Sequence, residues 1–216
     1  MDSNASSPDI SFQFPTLFRI YKDGRVERLK GTEVVPPSTD PETGVRSKDI
    51  VLSLESGLSA RISLPKLPDP TRKLPLLVFI HGGAFVIESP YSPLYHSHAA
   101  LLTSEANVVV LSVHYRRAPE HPLPACSGLN DPRVNPGKDP KLGEIGCGRV
   151  LVFVAEKDFF RDRAWAYYEA LKKSGWDGVV EIVESEGEEH VFHLFNPSCD
   201  KAVEMVKKVV SFINQD

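Results

Sequence analysis

The chain has 216 residues, 41% of them hydrophobic and 25% charged, with a formal net charge of -4, values typical of one soluble globular domain. No run of lysine and arginine stands out, so the composition argues against a nucleic-acid partner. No apolar run approaches the ~20 residues that a membrane span needs, and the polar residues 1–9 do not predict a signal peptide, so we expect a cytosolic protein without a membrane anchor.

The N-terminal third predicts two β-hairpins. Phe14 to Leu29 mixes apolar residues with a Lys22–Arg25 turn, and Asp49 to Leu64 turns near Glu55–Gly57. Between the two hairpins, residues 30–47 are rich in proline and threonine and predict a loop.

Four short apolar runs rich in β-branched residues follow, and such runs are typical of strands buried on both faces of a parallel sheet. They are Leu74–Ile80, Val108–Val113, Val150–Val154 and Val179–Val183, the last interrupted by Glu181. Helical periodicity lies between and after them, at about residues 92–106, 161–174 and 200–214. The alternation of strand and helix signals predicts an α/β architecture, which we interpret as a single domain over residues 1–216.

One region interrupts this alternation. Ala118 to Gly148 contains six prolines and five glycines in 31 residues and shows no periodic segment. Structureless loops longer than ~15 residues are uncommon in compact domains, so the pattern predicts an irregular segment from which something has been lost.

A glycine pair follows the first apolar run, in the sequence His81-Gly82-Gly83-Ala84-Phe85. Two glycines at a strand end let the backbone turn tightly and present N–H groups to an anion. An acyl-transfer enzyme needs such donors for the negative charge of its tetrahedral intermediate. A plain Gly-Gly turn is the alternative interpretation.

Two further candidates follow the last two apolar runs. Asp158 ends the segment Val154–Asp158, and His190 lies in Glu186–His193. Catalytic groups of open α/β sheets gather at the carboxyl ends of the strands, and an Asp before a His is the order of α/β-hydrolase triads. Taken alone, Asp158 is better explained as a cap of the helix that begins near Arg161. A lone histidine in a loop is usually solvated.

Together these residues resemble the plant carboxylesterases, a group related to hormone-sensitive lipase that includes the gibberellin receptors. The resemblance implies an α/β-hydrolase fold, with a mostly parallel sheet and helices on both faces. It also implies a small-molecule ester as substrate or ligand and no cofactor. It rests on four motifs in one order, residues 81–85, 115–125, 158–162 and 186–195.

The resemblance also implies roles for individual residues. In that family the counterparts of Gly82 and Gly83 supply N–H groups of the oxyanion hole. The counterpart of Asp158 orients the catalytic histidine, and the counterpart of His190 is the general base.

The nucleophile of that family is missing here. A hydrolase of this kind needs G-x-S-x-G on a strand–turn–helix, and no serine of this sequence has glycine both two before and two after it. Ser59 and Ser185 each have one of the two glycines, and Ser127 has neither. The 115–125 motif runs within a few residues into Asn130–Arg133, which resembles a segment well downstream in the family. We therefore predict that a segment on the order of a hundred residues has been deleted near 125–130, truncating the fold in its middle.

Three hypotheses about function follow. The chain is an esterase by descent, inactive because its nucleophile is absent; or a non-catalytic binding protein for a small, hormone-like molecule; or a truncated splice product or faulty gene model without function. His190 favours esterase ancestry, because a pure receptor does not need the base.

No metal site is predicted. His96 and His98 are spaced i, i+2 and point to different faces of a helix, and no carboxylate completes a ligand set. The three cysteines are odd in number and lack CxxC spacing, which argues against a disulfide framework or a thiolate zinc site.

Overall fold

A computed structural model describes residues 9–67, 71–122, 131–133 and 135–215, and the chain divides into two compact units, Met1–Leu123 and Pro124–Asp216. That both units belong to one domain, as the sequence predicts, stays a prediction. The first unit contains β1 (Ile10–Phe14), β2 (Phe18–Tyr21), β3 (Val26–Arg28), β4 (Arg46–Ser53), β5 (Leu58–Leu64), β6 (Leu76–Ile80), α1 (Pro93–Ala106) and β7 (Val109–His114). The second contains β8 (Arg149–Ala155), α2 (Arg161–Lys173), β9 (Val179–Ser185), α3 (Phe192–Phe195) and α4 (Asp200–Ile213).

Both predicted hairpins are confirmed. Strands β2 and β3 pair antiparallel around a turn in which Gly24 has φ +84, and β4 and β5 do so around Gly57 with φ +69. Glycine suits both turns because positive φ is strained for residues with a Cβ. Strand β1 pairs with β2 and completes a three-stranded sheet that the sequence did not predict.

The four apolar runs form strands that pair in parallel, as expected. Strand β6 pairs with β7 from Leu76↔Val109 to Ile80↔Val113, and β8 pairs with β9 along the full length of both. The α/β class is therefore confirmed. The four-stranded sheet, in the order β4-β5-β7-β6, also contains antiparallel strands, because the second hairpin joins it through β5.

Helices cover these strands on the faces that carry buried side chains. Helix α1 falls within the predicted range of residues 92–106 and contacts β7 and β5, and its Tyr95 ring lies 6.2 Å from Phe79 of β6. In the second unit, α2 contacts β8 and β9, and its Leu171 is fully buried. None of the described helices has the length and apolar character needed to cross a membrane.

The described residues between β7 and β8 form two short 3₁₀ turns, Pro136–Lys138 and Leu142–Glu144, and neither an α-helix nor a strand. The irregular character predicted for residues 118–148 is confirmed in this described part. The predicted deletion site near 125–130 lies outside the described residues.

Strand β6 forms one edge of the four-stranded sheet, although its composition suits a central strand. Its sequence, Leu-Leu-Val-Phe-Ile, contains no charge or polar group. Leu76, Val78 and Ile80 are 60%, 53% and 56% exposed, on the face opposite the Phe79 side chain that packs on α1. The other edge strand, β4, carries charged residues such as Lys48 and Asp49. An uncharged edge strand is a template for pairing with another chain, so β6 is the edge at which we expect self-association.

We predict that Val78→Lys reduces self-association of the purified protein. A lysine in the middle of β6 places a charge where a second strand has to dock, which is how natural edge strands avoid pairing. Sedimentation velocity over a range of concentrations measures the effect. Val34→Lys is the matched control, because Val34 is 67% exposed and lies outside the strands. If the two variants associate equally, β6 is not the associating edge.

Candidate functional site

The parallel pairing of β8 with β9 brings Asp158 and His190 together. The last paired residues are Ala155 and Ser185, so both strands end at the same level of the sheet. The loops that follow carry the two side chains, and the His190 Nδ1 lies 2.7 Å from the Asp158 Oδ2. This is the contact that the resemblance implies between a histidine and the carboxylate that orients it. The Asp158 side chain is 11% exposed and that of His190 is 46% exposed.

The Asp158 carboxylate has two separate functions in the structure. Its Oδ1 accepts a hydrogen bond of 2.8 Å from the Phe160 N–H, in the turn that leads into α2. Its Oδ2 faces His190. Of the two interpretations offered by the sequence, the contact with the histidine is observed, whereas Asp158 is not the helix cap, because the N-cap of α2 is Phe160 and has no side-chain capping bond. Because the first oxygen is fixed by the backbone, the second is held in place for the imidazole.

Aromatic rings and a strained backbone surround His190. The Phe159 and Phe160 rings lie 5.2 and 6.0 Å from the imidazole, and both side chains are exposed. Val191 has φ 50, a left-handed conformation that is unusual for a β-branched residue. A cavity of about 150 Å³ adjoins the imidazole on the side of Phe153 and Met205. Strain of this kind clusters at functional sites, where the surrounding structure fixes it.

The glycine loop after β6 is wound tightly. Gly83 has φ +106, and a Cβ placed there would lie 2.3 Å from the Ile87 carbonyl oxygen. A Cβ on Gly82 would lie 2.6 Å from the Tyr95 hydroxyl. Ala84 and Phe85 continue the left-handed path with φ 52 and 62. Both glycines are thus required by close approach, which is more than a plain turn demands.

Tyr115 holds this loop, a role that the sequence did not reveal. Its hydroxyl donates a hydrogen bond of 2.9 Å to the His81 carbonyl oxygen, and its ring stacks on the His81 imidazole at 4.3 Å. Burial lowers the pKa of His81 to about 4 and raises the pKa of Tyr115 to about 12. Both side chains are therefore neutral near pH 7. The only sequence signal was the position of Tyr115 at the start of the 115–125 motif.

The sequence-predicted site residues fall in both units. Gly82 and Gly83 belong to the first unit, and Asp158 and His190 belong to the second. The structure brings the carboxylate and the imidazole together. That the four residues share one sheet edge, and that they have the catalytic roles implied by the resemblance, stay predictions.

Of the serines weighed in the sequence, Ser59 and Ser185 lie in the part of the chain that the structure describes, and neither has the setting of a nucleophile. The Ser59 Oγ lies 2.9 Å from the Tyr91 hydroxyl and 3.3 Å from the Nδ1 of His114. Burial and the guanidinium groups of Arg117 and Arg28 lower the pKa of His114, and these cations oppose the imidazolium that a general base becomes. Ser127 lies outside the described residues.

Ser185 lines the cavity beside His190, at the last position of β9. It does not occupy the sharp strand-to-helix turn that exposes the nucleophile of an α/β-hydrolase, because a loop rather than a helix follows this strand.

Within the described residues, no group of three or more histidine, cysteine, aspartate or glutamate side chains could hold a metal ion. The Nδ1 of His96 lies 3.3 Å from the guanidinium of Arg61, which itself forms a bidentate pair with Asp49. A guanidinium in that place excludes a metal cation at the same nitrogen. Cys147 and Cys199 are free.

The geometry around His190 defines what this site can do chemically. With Asp158 on Nδ1, the imidazole presents Nε2 as the atom that can accept a proton, as in a hydrolase base held by its carboxylate. A nucleophile would be the proton donor in acyl transfer, and no serine of this chain has the flanking residues of such a nucleophile.

Comparison with known proteins gives a consistent result. The sequence profile of the alpha/beta hydrolase fold family matches residues 77–128 and, as a second stretch, residues 126–194. The chain is 34% identical to the probable carboxylesterase 2 of Arabidopsis thaliana in an alignment 309 positions long, gaps included, that spans 98% of both proteins. It is 33% identical to the 2-hydroxyisoflavanone dehydratase of Glycyrrhiza echinata, again over 98% of both.

Solved structures show the same fold. The hyperthermophilic esterase of the archaeon Pyrobaculum calidifontis matches with a TM-score of 0.62 and 20% identity, over 77% of this chain and 84% of the esterase. A thermostable carboxylesterase from a metagenomic library matches with a TM-score of 0.59 and 19% identity, over 83% of this chain and 90% of the other.

We predict that His81 makes the fold sensitive to acid. Its pKa falls from 6.5 in the unfolded chain to about 4 in the folded one, so the folded state binds fewer protons between these values. The stability that neutral His81 contributes is complete above pH 6.5 and is lost as the pH falls toward 4. In His81→Phe, which keeps an aromatic ring against Tyr115, the urea midpoint should therefore fall less over this range than in the wild type.

His121→Phe is the control for this experiment, since His121 is an exposed histidine of the same unit. Equal pH dependence in the wild type and His81→Phe would contradict the prediction.

Proposed function

Because the chain belongs to the α/β-hydrolase fold family of plant carboxylesterases, we propose that it descends from an enzyme hydrolysing small carboxylic esters and no longer performs that reaction. The observation that carries this proposal is the hydrogen bond of 2.7 Å between the Asp158 Oδ2 and the His190 Nδ1, in a chain without G-x-S-x-G. On this proposal the chain keeps the general base and the carboxylate that orients it, and it lacks the nucleophilic serine.

In the proposed ancestral reaction, His190 removes the proton of the nucleophile through Nε2 while Asp158 stabilises the imidazolium. The N–H groups of Gly82 and Gly83 receive the negative charge that develops on the ester carbonyl oxygen. The close packing at both glycines supports this role, because it leaves no room for a side chain at either of these two positions.

We propose that the nucleophile was lost by deletion near residues 125–130. Two observations support this. The two stretches that match the family profile meet at residues 126–128. The alignment with the Arabidopsis carboxylesterase runs over 309 positions, although this chain has 216 residues, so a long segment of the relative has no counterpart here. The two compact units are then the two parts of one interrupted domain.

Loss of the nucleophile has a large effect on turnover. In serine hydrolases that lose this one group, turnover falls by about 10⁶, leaving only the effects of binding and the oxyanion donors. Water activated by His190 does not compensate, since a free water lacks the effective molarity of a held nucleophile.

A second candidate function is binding of a small molecule without turnover. A cavity of about 790 Å³ in the second unit, lined by Phe159, Phe160 and Tyr167 among others, favours it. Cavities of this size and aromatic character suit small organic ligands. Calorimetric titration with a non-hydrolysable ester analogue tests this candidate, and Phe160→Ala should weaken any saturable binding that is found.

We predict that the purified protein hydrolyses 4-nitrophenyl acetate no faster than its His190→Ala variant. Exposed histidines cleave activated esters slowly in solution, so the variant sets the background. The release of nitrophenolate, followed over a range of ester concentrations, measures both. Saturable turnover that a serine-directed organophosphate abolishes would show that a serine, such as Ser127 or Ser185, acts as the nucleophile.

We further predict that restoring the missing segment restores activity. A chimaera carries, between Ala125 and Asn130, the stretch of the Arabidopsis carboxylesterase that this chain lacks. It should hydrolyse the same ester with saturation kinetics and react with an organophosphate, because nucleophile, base and oxyanion donors are then all present. His190→Ala in the chimaera is the control. A folded chimaera whose activity does not depend on His190 would contradict the assignment of this residue as the base.

A further inference from the structure

The loops that carry Asp158 and His190 are joined to each other beyond the ends of their strands. Past the last β8–β9 pair, the Glu156 N–H donates a hydrogen bond of 3.1 Å to the Ser185 carbonyl oxygen. The Lys157 N–H then donates one of 3.0 Å to the Glu188 carbonyl oxygen. The backbone of the two loops therefore continues the contact between the strands for two more residues.

A side chain adds a further link. The Glu156 Oε2 accepts a hydrogen bond of 2.6 Å from the Gly187 N–H. Glu156 lies two residues before Asp158, and Gly187 lies three residues before His190. A hydrogen bond from a backbone N–H to a carboxylate is shorter and stronger than one between neutral groups. This carboxylate thus ties the aspartate loop to the turn from which the histidine loop departs.

The histidine loop is also held from its other side, by α4. The Lys201 Nζ donates a hydrogen bond to the Glu186 carbonyl oxygen and lies 3.4 Å from the Glu188 Oε1. Lys201 thus holds this turn from α4, whereas Glu156 holds it from the aspartate loop, two residues before Asp158.

Packing alone does not fix the His190 ring. The side chain is 46% exposed, and the aromatic rings beside it, Phe159 and Phe160, are themselves 76% and 53% exposed. A ring in such surroundings takes its orientation from the path of its loop and from its hydrogen bond with Asp158. Rigid placement of a functional side chain requires support by the groups around it.

From these contacts we infer that Glu156 is a positioning residue, which holds the Gly187 turn so that the His190 imidazole stays on the Asp158 carboxylate. The inference rests on the proposed function, in which these two residues are the base and its partner. It adds a residue that touches neither the imidazole nor any reacting group and acts through the backbone of the histidine loop.

Nitrogen-15 NMR of the full-length protein tests this inference, because the ring shifts of a neutral imidazole report which nitrogen carries the proton. A carboxylate on Nδ1 favours the Nδ1–H tautomer. Asp158→Ala gives the signature of a ring without its partner. Glu156→Ala should move the ring shifts at least halfway from the wild-type values toward those of Asp158→Ala. Glu156→Gln should keep the wild-type shifts, since its amide oxygen can accept the Gly187 N–H.

Glu144→Ala is the matched control, because it removes an exposed glutamate of the same unit. Wild-type ring shifts in Glu156→Ala, or equal losses in Glu156→Ala and Glu156→Gln, overturn the inference. If circular dichroism shows that Glu156→Ala does not fold, Glu156→Asp replaces it. Because the aspartate side chain is too short to reach Gly187, we expect this variant to lose the wild-type ring shifts of His190. Wild-type shifts in Glu156→Asp overturn the inference. Identical shifts in the wild type and Asp158→Ala mean instead that the proposed base and partner are wrong.

Discussion

The parallel pairing of β8 with β9 is the contact on which the arrangement of Asp158 and His190 depends. Two buried strands that run in the same direction and end at the same level deliver their following loops to one place. The pairing is made by the two apolar runs themselves, because β8 and β9 form a two-stranded sheet of their own. The hydrogen bond between the carboxylate and the imidazole is therefore a consequence of strand register, and it does not require the nucleophile to be present.

The apolar composition of β6 does not match its place at the edge of a sheet. The composition of this strand suits burial on both faces, whereas its place at a sheet edge leaves Leu76, Val78 and Ile80 exposed. The composition of a strand is fixed by its own residues, but the burial of its side chains depends on neighbouring strands that can be distant in the sequence. The apolar composition of β6 is therefore a property of its own residues, whereas its exposure depends on which strands lie beside it.

Much of the architecture could be predicted from the sequence, because its signals are local. Turn residues beside Gly24 and Gly57 predicted the hairpins, the four apolar runs predicted the parallel strands, and the order of Asp158 and His190 predicted their contact. Other features could not be predicted, because they depend on distances through space. The hydrogen bond from Tyr115 to the His81 carbonyl spans 34 residues. The bond between Glu156 and Gly187 spans 31 residues and joins a side chain to a backbone group, for which the sequence has no pattern.

The left-handed path of the loop after β6 has an evolutionary consequence. Ala84 and Phe85 have positive φ, a conformation that costs a residue with a Cβ roughly 1–2 kcal/mol compared with the right-handed form. Selection maintains such strain as long as the shape it creates serves a reaction. In a lineage that no longer catalyses, substitution by glycine at these two positions becomes favourable, because it relieves the strain at no cost to fitness. If the proposed loss of catalysis holds for this chain, the identity of residues 84 and 85 in descendants of this gene records how long ago the loop ceased to be under selection.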